Sequence, residues 1–278
     1  MELIKVRQEL IIDLREDLPD LVDKFNHFIL APFKSKKNTV VNLSFNRATE
    51  TLPKEMVVKI FRTINSESEY QTILRLKHQN LNIPDIIFYK TPYLFLKKIE
   101  GVNICDYIND QLKGIDSLDD LEPKVKENIV NCVEKLAEWL ANLHLNNIVK
   151  KTGDMEYLVL NKGDTRLRDF IFNPKQNIMY GVDFEDSYAG NHIDDLAWIC
   201  CSLLDTNPGI FDVFEPKPKI ELINVFLKKY YNVNSSFQFD FNYFTEKLIE
   251  DLNIVMERRN FSMKLSKESF LEKISKEI

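Results

Sequence analysis

The chain has 278 residues, of which 44% are hydrophobic and 11% aromatic, and this composition excludes a disordered polypeptide. Its formal net charge of −6, without a basic stripe, gives no reason to expect nucleic-acid binding. The cysteines lack metal-type spacing and no apolar run approaches the ~20 residues that span a bilayer, so we predict a cytoplasmic protein with no membrane partner.

Strand-like segments dominate the first hundred residues. Three runs rich in β-branched and aromatic side chains, at 25–32, 40–45 and 56–61, are separated by polar connectors. A helix is predicted over 66–79, where Ser66 can cap the first turn. Two further strands are predicted at 85–89 and 93–99.

Helices dominate the remainder of the chain. Apolar residues spaced alternately four and three apart from Ile129 to Leu143 predict a long helix that ends near His144. Another helix is predicted over 194–204, and three helical segments follow Ile220. We therefore predict a small β-rich N-terminal lobe over 1–100 and a larger helical C-terminal lobe over 101–278. A hinge near 98–103 would be a usual place for a ligand cleft.

Three aspartates surround two short apolar strands in the second region. The segments 170–172 and 178–182, separated by turn residues, predict an antiparallel hairpin. Asp169 would enter the first strand and Asp183 would leave the second, with Asp164 a few residues upstream. Like charges so placed repel unless a cation lies between them, and oxygen ligands suit Mg²⁺. On the aspartates alone, an ordinary hairpin with solvated acidic ends explains the pattern about as well.

A lysine and a glutamate in the first region are candidates for a phosphate site. Lys59 shares a strand face with Val57 and Phe61, where it is either a surface residue or a group that reaches a bound phosphate. On the following helix, Glu69 is spaced with the apolar stripe, but Glu67 fits the same geometry nearly as well. Periodicity does not choose between them.

The order of these motifs resembles the protein-kinase-like fold, and more narrowly the aminoglycoside phosphotransferase and choline kinase group, over about residues 25–205. The segment from Lys162 to Asp169 is similar to the catalytic loop of the family, and the segment from Gly181 to Glu185 is similar to its metal-binding segment. This sequence has Lys162 where histidine is usual and Asp169 where asparagine is usual. Its phosphate-covering loop, 34–38, contains no glycine.

The resemblance implies an α+β, two-lobed fold, ATP and Mg²⁺ as cofactors, and a role for each matched residue. Asp164 would accept or orient the proton of the acceptor hydroxyl, and Arg166 would face the transferred phosphoryl group. Asp169 and Asp183 would hold the metal, and Asp195 would brace the catalytic loop. The expected nucleotide contacts are Lys59 with its partner Glu69, Lys37 and Asn38 in the loop, and the backbone of Lys97 and Ile99 at the hinge.

The acceptor is expected to be a small molecule. The interval between Asp183 and Asp195 is short and lacks the Ala-Pro-Glu motif of ordinary protein kinases. We therefore expect a kinase that acts on an aminoglycoside-, sugar- or choline-like hydroxyl compound and exists as a monomer or homodimer. An atypical Ser/Thr protein kinase and a nucleotide-binding pseudokinase that serves as a binding module remain alternatives. Trp198 is predicted to lie in the core, and Arg258 on a solvated helix face or in contact with substrate.

Overall fold

The protein is described by a computed structural model for residues 3–22, 27–35, 37–49, 51–62, 66–151, 157–213, 215–261 and 269–274. The chain divides into two compact units. The first consists of residues 1–77 and 83–99, and the second of residues 78–82 and 100–278. The segment 78–82 therefore clusters with the helical part of the chain, although it lies within the predicted N-terminal lobe.

A five-stranded antiparallel sheet forms the first unit, with strand order β1-β2-β3-β5-β4. Its strands are β1 (Phe28–Pro32), β2 (Thr39–Phe45), β3 (Glu55–Ile60), β4 (Ile86–Lys90) and β5 (Tyr93–Lys97). Helix α2 (Ser66–Lys77) lies between β3 and β4 in the chain. Each of these elements falls in a predicted segment, and only the ends differ. The predicted start of the first strand, at 25 and 26, lies outside the described residues.

A helix at the start of the chain was missed by the sequence analysis. Helix α1 (Leu3–Leu14) buries Val6, Leu10 and Leu14, which are completely inaccessible to solvent and join the apolar core of the sheet. The buried stripe has only one residue per turn, and Ile4 and Ile12 on the same helix are 68% exposed. Such weak amphipathicity does not distinguish a helix from irregular polar chain in the sequence.

Helices form most of the second unit. They are α3 (Ile104–Gln111), α4 (Pro123–Asn146), α5 (His192–Asp205), α6 (Lys217–Val233) and α7 (Phe241–Arg258). Helix α4 is the predicted long helix, extended at its start because Pro123 stands in its first turn, where a missing N–H costs nothing. Of the three helical segments predicted after Ile220, the last is a short 3₁₀ helix at Ser269–Lys273.

Two small antiparallel sheets carry the polar loops of the second unit. Strands β6 (Val102–Asn103), β9 (Phe170–Asn173) and β10 (Ile178–Gly181) form one, in the order β10-β9-β6. Strands β7 (Ile148–Lys151), β8 (Tyr157–Asn161) and β11 (Tyr188–Asn191) form the other, in the order β11-β8-β7. The β9–β10 hairpin was predicted and is confirmed. The second sheet was missed, since Tyr188 of β11 pairs with Asn161 of β8 across the whole intervening hairpin and no local turn signals that pairing.

The four cysteines are buried free thiols, as the apolar context of Cys200 and Cys201 indicates. Burial raises the pKa of both of these thiols well above its ordinary value, so they remain protonated and inert. Within the described part of the chain, no helix has the length and apolar character needed to cross a membrane.

Candidate active site

The first unit contains a buried ion pair between a strand and a helix. The Nζ atom of Lys59 on β3 lies 2.6 Å from Oε2 of Glu69 on α2. The two residues are 6% and 1% exposed. Glu67, the other candidate partner, instead accepts hydrogen bonds from Gln71 and from the hydroxyl of Tyr89 at the surface. A buried pair of this kind costs desolvation energy, so its presence is better explained by a need for an oriented ammonium group than by stability.

The residues expected to contact the nucleotide in the 34–38 loop differ in exposure. Lys37 is exposed, whereas Asn38 is buried. The Asn38 side chain accepts a hydrogen bond from the backbone N–H of Arg62 at 3.1 Å, so its oxygen holds the residues that follow β3. Lys36 lies outside the described residues. Phosphate contacts from this loop therefore stay a prediction.

The predicted hinge segment follows strand β5. The backbone N–H of Lys97 donates to the carbonyl oxygen of Asp85 at 2.8 Å, so this N–H is already engaged within the first unit. Ile99 is partly buried in irregular chain, and no backbone hydrogen bond joins it to another described residue. A segment outside the regular strand can offer its backbone groups to a flat heterocycle.

The β9–β10 hairpin brings two of the predicted carboxylates to one end. Phe170 pairs with Gly181, and the N–H of Val182 donates to the carbonyl oxygen of Asp169 at 2.9 Å. Asp169 therefore enters β9 next to the point where Asp183 leaves β10, as the turn between the strands predicts. Gly181 is required here because a Cβ atom would lie 2.3 Å from the ring of Trp139, which supports the hairpin from α4.

Burial and two neighbouring charges shift the pKa of the Asp169 carboxyl group. Burial raises its pKa, the Lys162 ammonium opposes that rise, and the negative charge of Asp183 adds to it. Oδ2 of Asp169 accepts from Lys162 Nζ at 3.4 Å and from the N–H of Arg166 at 3.3 Å. Oδ1 accepts no hydrogen bond from the described residues. Lys162 is 1% exposed, so the lysine that replaces the usual histidine offsets part of the charge that Asp169 adds.

Asp164 lies in the loop that leads into this hairpin and is held by arginine. Nη2 of Arg166 lies 2.7 Å from Oδ1 and 2.6 Å from Oδ2 of Asp164. Nη1 of Arg258, on α7, lies 3.5 Å from Oδ1. Burial alone would raise the pKa of the Asp164 carboxyl, but the Arg166 and then the Arg258 guanidinium outweigh it and hold the pKa below its ordinary value.

The backbone of the same loop is constrained. Asp164 has φ +40° and Asp183 has φ +67°, left-handed conformations that are uncommon for residues with a Cβ atom. Gly163, with φ +73°, allows the loop to pass the carbonyl oxygen of Asp186, from which a Cβ atom would lie only 2.1 Å away. Strained positions of this kind cluster at functional sites because they orient side chains that relaxed backbone would not.

Asp195, on α5, holds in place the loop that contains Asp164. Its carboxylate accepts hydrogen bonds from the N–H groups of Lys162 and Gly163 at 2.7 and 3.1 Å, and from the hydroxyl of Thr165 at 2.5 Å. Nε2 of His144 lies 3.1 Å from the same carboxylate. Burial alone would raise the pKa of Asp195, but these hydrogen bonds outweigh it and keep the pKa below its ordinary value. Asp195 is therefore an ionised structural anchor.

Solved structures resemble this chain over nearly its whole length. A candidate aminoglycoside phosphotransferase from Ralstonia eutropha has a TM-score of 0.59 at 13% identity, over 94% of this chain and 92% of its own. APH(2″)-IIa in a ternary complex with streptomycin and ATP has a TM-score of 0.52 at 14% identity, over 94% and 97%. The chain has a protein-kinase-like fold.

A choline/ethanolamine kinase family protein from Mesorhizobium loti shares this kinase-like fold, with a TM-score of 0.54 at 12% identity over 94% of this chain and 88% of its own. No protein-family model matches the sequence, and no curated protein matches it. The architecture expected from the motifs, β-rich at the N-terminal side and helical at the C-terminal side, is confirmed.

Trp198 and Arg258 make contacts near Asp164 that the sequence did not indicate. Trp198 is only partly buried, and the guanidinium carbons of Arg166 and Arg258 lie 5.9 and 5.6 Å from the centre of its ring. It is therefore not a simple core residue, because an apolar run hides which of its members faces the loop. Arg258 contacts Asp164 across 94 positions of sequence, and no local pattern could have revealed that contact.

Proposed function

We propose that the protein is an ATP-dependent phosphotransferase that moves the γ-phosphoryl group of Mg-ATP to a hydroxyl group of a small molecule. One observation carries this proposal: Asp169 and Asp183 meet at the open end of a hairpin, with Asp164 on the loop that enters it. In a chain with a kinase-like fold, that arrangement supports a metal pair of carboxylates beside a proton acceptor.

The donor set of the hairpin fits a hard divalent cation. Oδ1 of Asp169 has no hydrogen-bond partner among the described residues, and the charge of Asp183 raises the pKa of Asp169, so a cation would relieve their repulsion. Asp169 and Asp183 would hold Mg²⁺ through carboxylate oxygens. When bound, the ion supplies neutralisation of the charge on the phosphate oxygens.

The nucleotide contacts come from the residues of the first unit. Lys59, oriented by Glu69, binds the α- and β-phosphates, and the buried position of the pair supports a fixed ammonium direction. The backbone groups of Lys97 and Ile99 would bind the adenine, and the loop residues Lys37 and Asn38 would contact the phosphates.

The chemical step needs little covalent participation by the protein. The acceptor hydroxyl donates a hydrogen bond to Asp164, and its oxygen attacks the γ-phosphorus. The bond between that phosphorus and the β–γ bridging oxygen breaks, its electron pair leaves with ADP, and the hydroxyl proton passes to Asp164. Arg166 stabilises the transferred phosphoryl group. The low pKa of Asp164 keeps it ionised and ready to accept this proton at neutral pH.

A small acceptor fits the structure better than a protein substrate does. The interval after Asp183 contains β11 and then α5, whose first turn is capped by Asn191. No long segment remains there to bind a peptide. The solved structures that share this fold include one that contains streptomycin, which favours an acceptor of comparable size.

The test of this function is ADP release from ATP and Mg²⁺ over a library of hydroxyl compounds that includes aminoglycosides, sugars and amino alcohols. We expect ADP release that depends on both the metal and one acceptor class. Thermal stabilisation by Mg-ATP without ADP release from any acceptor would instead identify a pseudokinase. Labelling of the protein itself without an added acceptor would identify a protein kinase.

Replacement of Asp183 tests the metal site separately from turnover. Asp183→Asn removes one anionic ligand, so we expect the affinity for ATP in the presence of Mg²⁺ to fall by at least about tenfold. Affinity for ATP in the presence of a chelator should not change. Calorimetric titration with and without Mg²⁺ measures both quantities.

The matched control is Asp119→Asn, which neutralises a carboxylate that is 84% exposed and paired with Lys126. It should leave both affinities at the wild-type value. Equal losses of affinity with and without Mg²⁺ in Asp183→Asn would argue that Asp183 does not bind the metal.

A further inference from the structure

Two guanidinium groups from distant parts of the second unit converge on Asp164. Arg166 is two residues away in the same loop, and Arg258 is the last residue of α7. Both lie over the ring of Trp198 on α5, at 5.9 and 5.6 Å from its centre. An indole ring attracts guanidinium groups through its face and limits where they can move. Trp198 therefore forms a platform that presents both cations to one carboxylate.

The contacts of Arg166 conflict with the role of Asp164 in transfer. Nη2 of Arg166 lies within 2.7 Å of both carboxylate oxygens, so each oxygen already accepts a strong hydrogen bond. Each oxygen keeps a lone pair for a second hydrogen bond, but the Arg166 guanidinium lowers the pKa of Asp164 and so makes it a weaker base, and release of Arg166 favours transfer of the hydroxyl proton. The phosphoryl group is a stronger attractor for a guanidinium than a single carboxylate, because it carries more negative charge.

We propose that Arg258 is a positioning residue that holds the Asp164 carboxylate when Arg166 turns to the transferred phosphoryl group. This inference rests on the proposed phosphotransferase function. Arg258 touches one oxygen only, Oδ1, at 3.5 Å, and leaves Oδ2 to the acceptor hydroxyl. Its position on α7 is independent of the loop, so the contact persists while the loop residue Arg166 changes partner.

The charged groups that face Asp164 agree with this division of roles. Arg166 comes from its own loop, while Arg258 and Asp251 come from α7. Burial raises the pKa of Asp251 to about 8, Lys247 opposes the rise, and Asp194, Glu250 and Asp164 add to it, so Asp251 is largely neutral at pH 7. When Asp251 is uncharged and Arg166 has turned to the phosphoryl group, Arg258 is the one of these three groups that still places a charge beside Asp164.

The activity test compares Arg258→Gln with Arg258→Lys and with Arg259→Gln. We expect Arg258→Gln to lower kcat by about threefold to tenfold, a moderate value because the contact is long and half exposed. The KM for ATP should stay unchanged, and the acid limb of the pH–rate profile should move to higher pH, since loss of the cation raises the pKa of Asp164. Arg258→Lys keeps the charge and should restore the acid limb.

Arg259→Gln is the control from the same helix end. Arg259 has nearly the same exposure as Arg258, 41% against 42%, but pairs with Asp205. It should leave kcat and the pH profile at wild-type values. An equal effect of both substitutions would mean that the helix end matters only structurally, and an unchanged kcat and acid limb in Arg258→Gln would overturn the proposal.

A measurement without turnover separates this inference from the proposed function. The pKa of Asp164 is followed by carbon NMR of the aspartate carboxyl groups, with Asp164→Asn to assign the signal. We expect Arg258→Gln, but not Arg259→Gln, to raise that pKa, and to raise it more when a non-hydrolysable ATP analogue and Mg²⁺ are bound. If no acceptor yields ADP but the pKa of Asp164 still rises in Arg258→Gln, the proposed phosphotransferase function is wrong and the contact between Arg258 and Asp164 is supported. If the pKa is unmoved, or the nucleotide does not enlarge the shift, Arg258 does not hold Asp164 as proposed.

Discussion

Asp164→Asn should lower turnover by about 10²–10⁴-fold, which corresponds to about 3–5.5 kcal/mol of transition-state stabilisation. The amide has nearly the shape of the carboxylate but cannot accept the hydroxyl proton at neutral pH. It also releases Arg166, whose Nη2 lies 2.6 Å from Oδ2 in the wild-type protein. ADP release with the best acceptor measures the loss, and calorimetry should find the affinity for Mg-ATP within a few fold of wild type.

Comparing turnover with Mg-ATP affinity in Asp164→Asn distinguishes a loss of proton transfer from a loss of nucleotide binding. Asp119→Asn also removes one negative charge, but from a side chain that is 84% exposed. It should retain full turnover, which makes it the control for the change in net charge. Turnover at the wild-type rate in Asp164→Asn would remove Asp164 from the mechanism. A matching loss of nucleotide affinity would mean instead that Asp164 acts on binding, and the assignment of the proton acceptor would have to move.

Asp195→Ala should cost about 3–5 kcal/mol of the free energy of unfolding, because it leaves several buried donors without an acceptor. The carboxylate is 1% exposed and accepts from the N–H groups of Lys162 and Gly163 and from the hydroxyl of Thr165. Urea denaturation monitored by tryptophan fluorescence measures the loss. Turnover should fall as well, since the loop that carries Asp164 loses its anchor.

The pH dependence of this stabilisation follows from the direction of the pKa shift. The folded pKa of Asp195 is depressed, so its contribution is fully present above the unfolded pKa of about 3.9 and is lost as pH falls through the folded pKa. The difference in stability between wild type and Asp195→Ala should therefore be constant from pH 5 to 7 and narrow only below about pH 4. Asp195→Asn, which keeps one acceptor oxygen, should lose less, and the exposed control Asp119→Ala should leave the free energy of unfolding at the wild-type value. Wild-type stability in Asp195→Ala would show that water replaces the carboxylate at no cost.

Local signals in the sequence were sufficient for the elements that depend on short-range interactions. The turn residues between 172 and 178 predicted the β9–β10 hairpin, and because pairing in a hairpin is set by its turn, they also predicted that Asp169 and Asp183 would meet. The apolar spacing from Ile129 to Leu143 predicted α4 for the same reason, since a helix repeats its own geometry. The kinase-like fold was likewise anticipated from the order of these motifs.

Features that depend on packing between distant segments needed the tertiary structure. Helical periodicity left Glu67 and Glu69 equal, and only the position of α2 against the sheet buries Glu69 beside Lys59. The contact between Arg258 and Asp164 likewise exists only because α7 lies against α5 and the loop. The sequence by itself therefore determined which residue types surround the site, through turns and periodicity that act over a few residues. The tertiary structure decided which side chain each of them touches, because those distances are set by the packing of elements far apart in the chain.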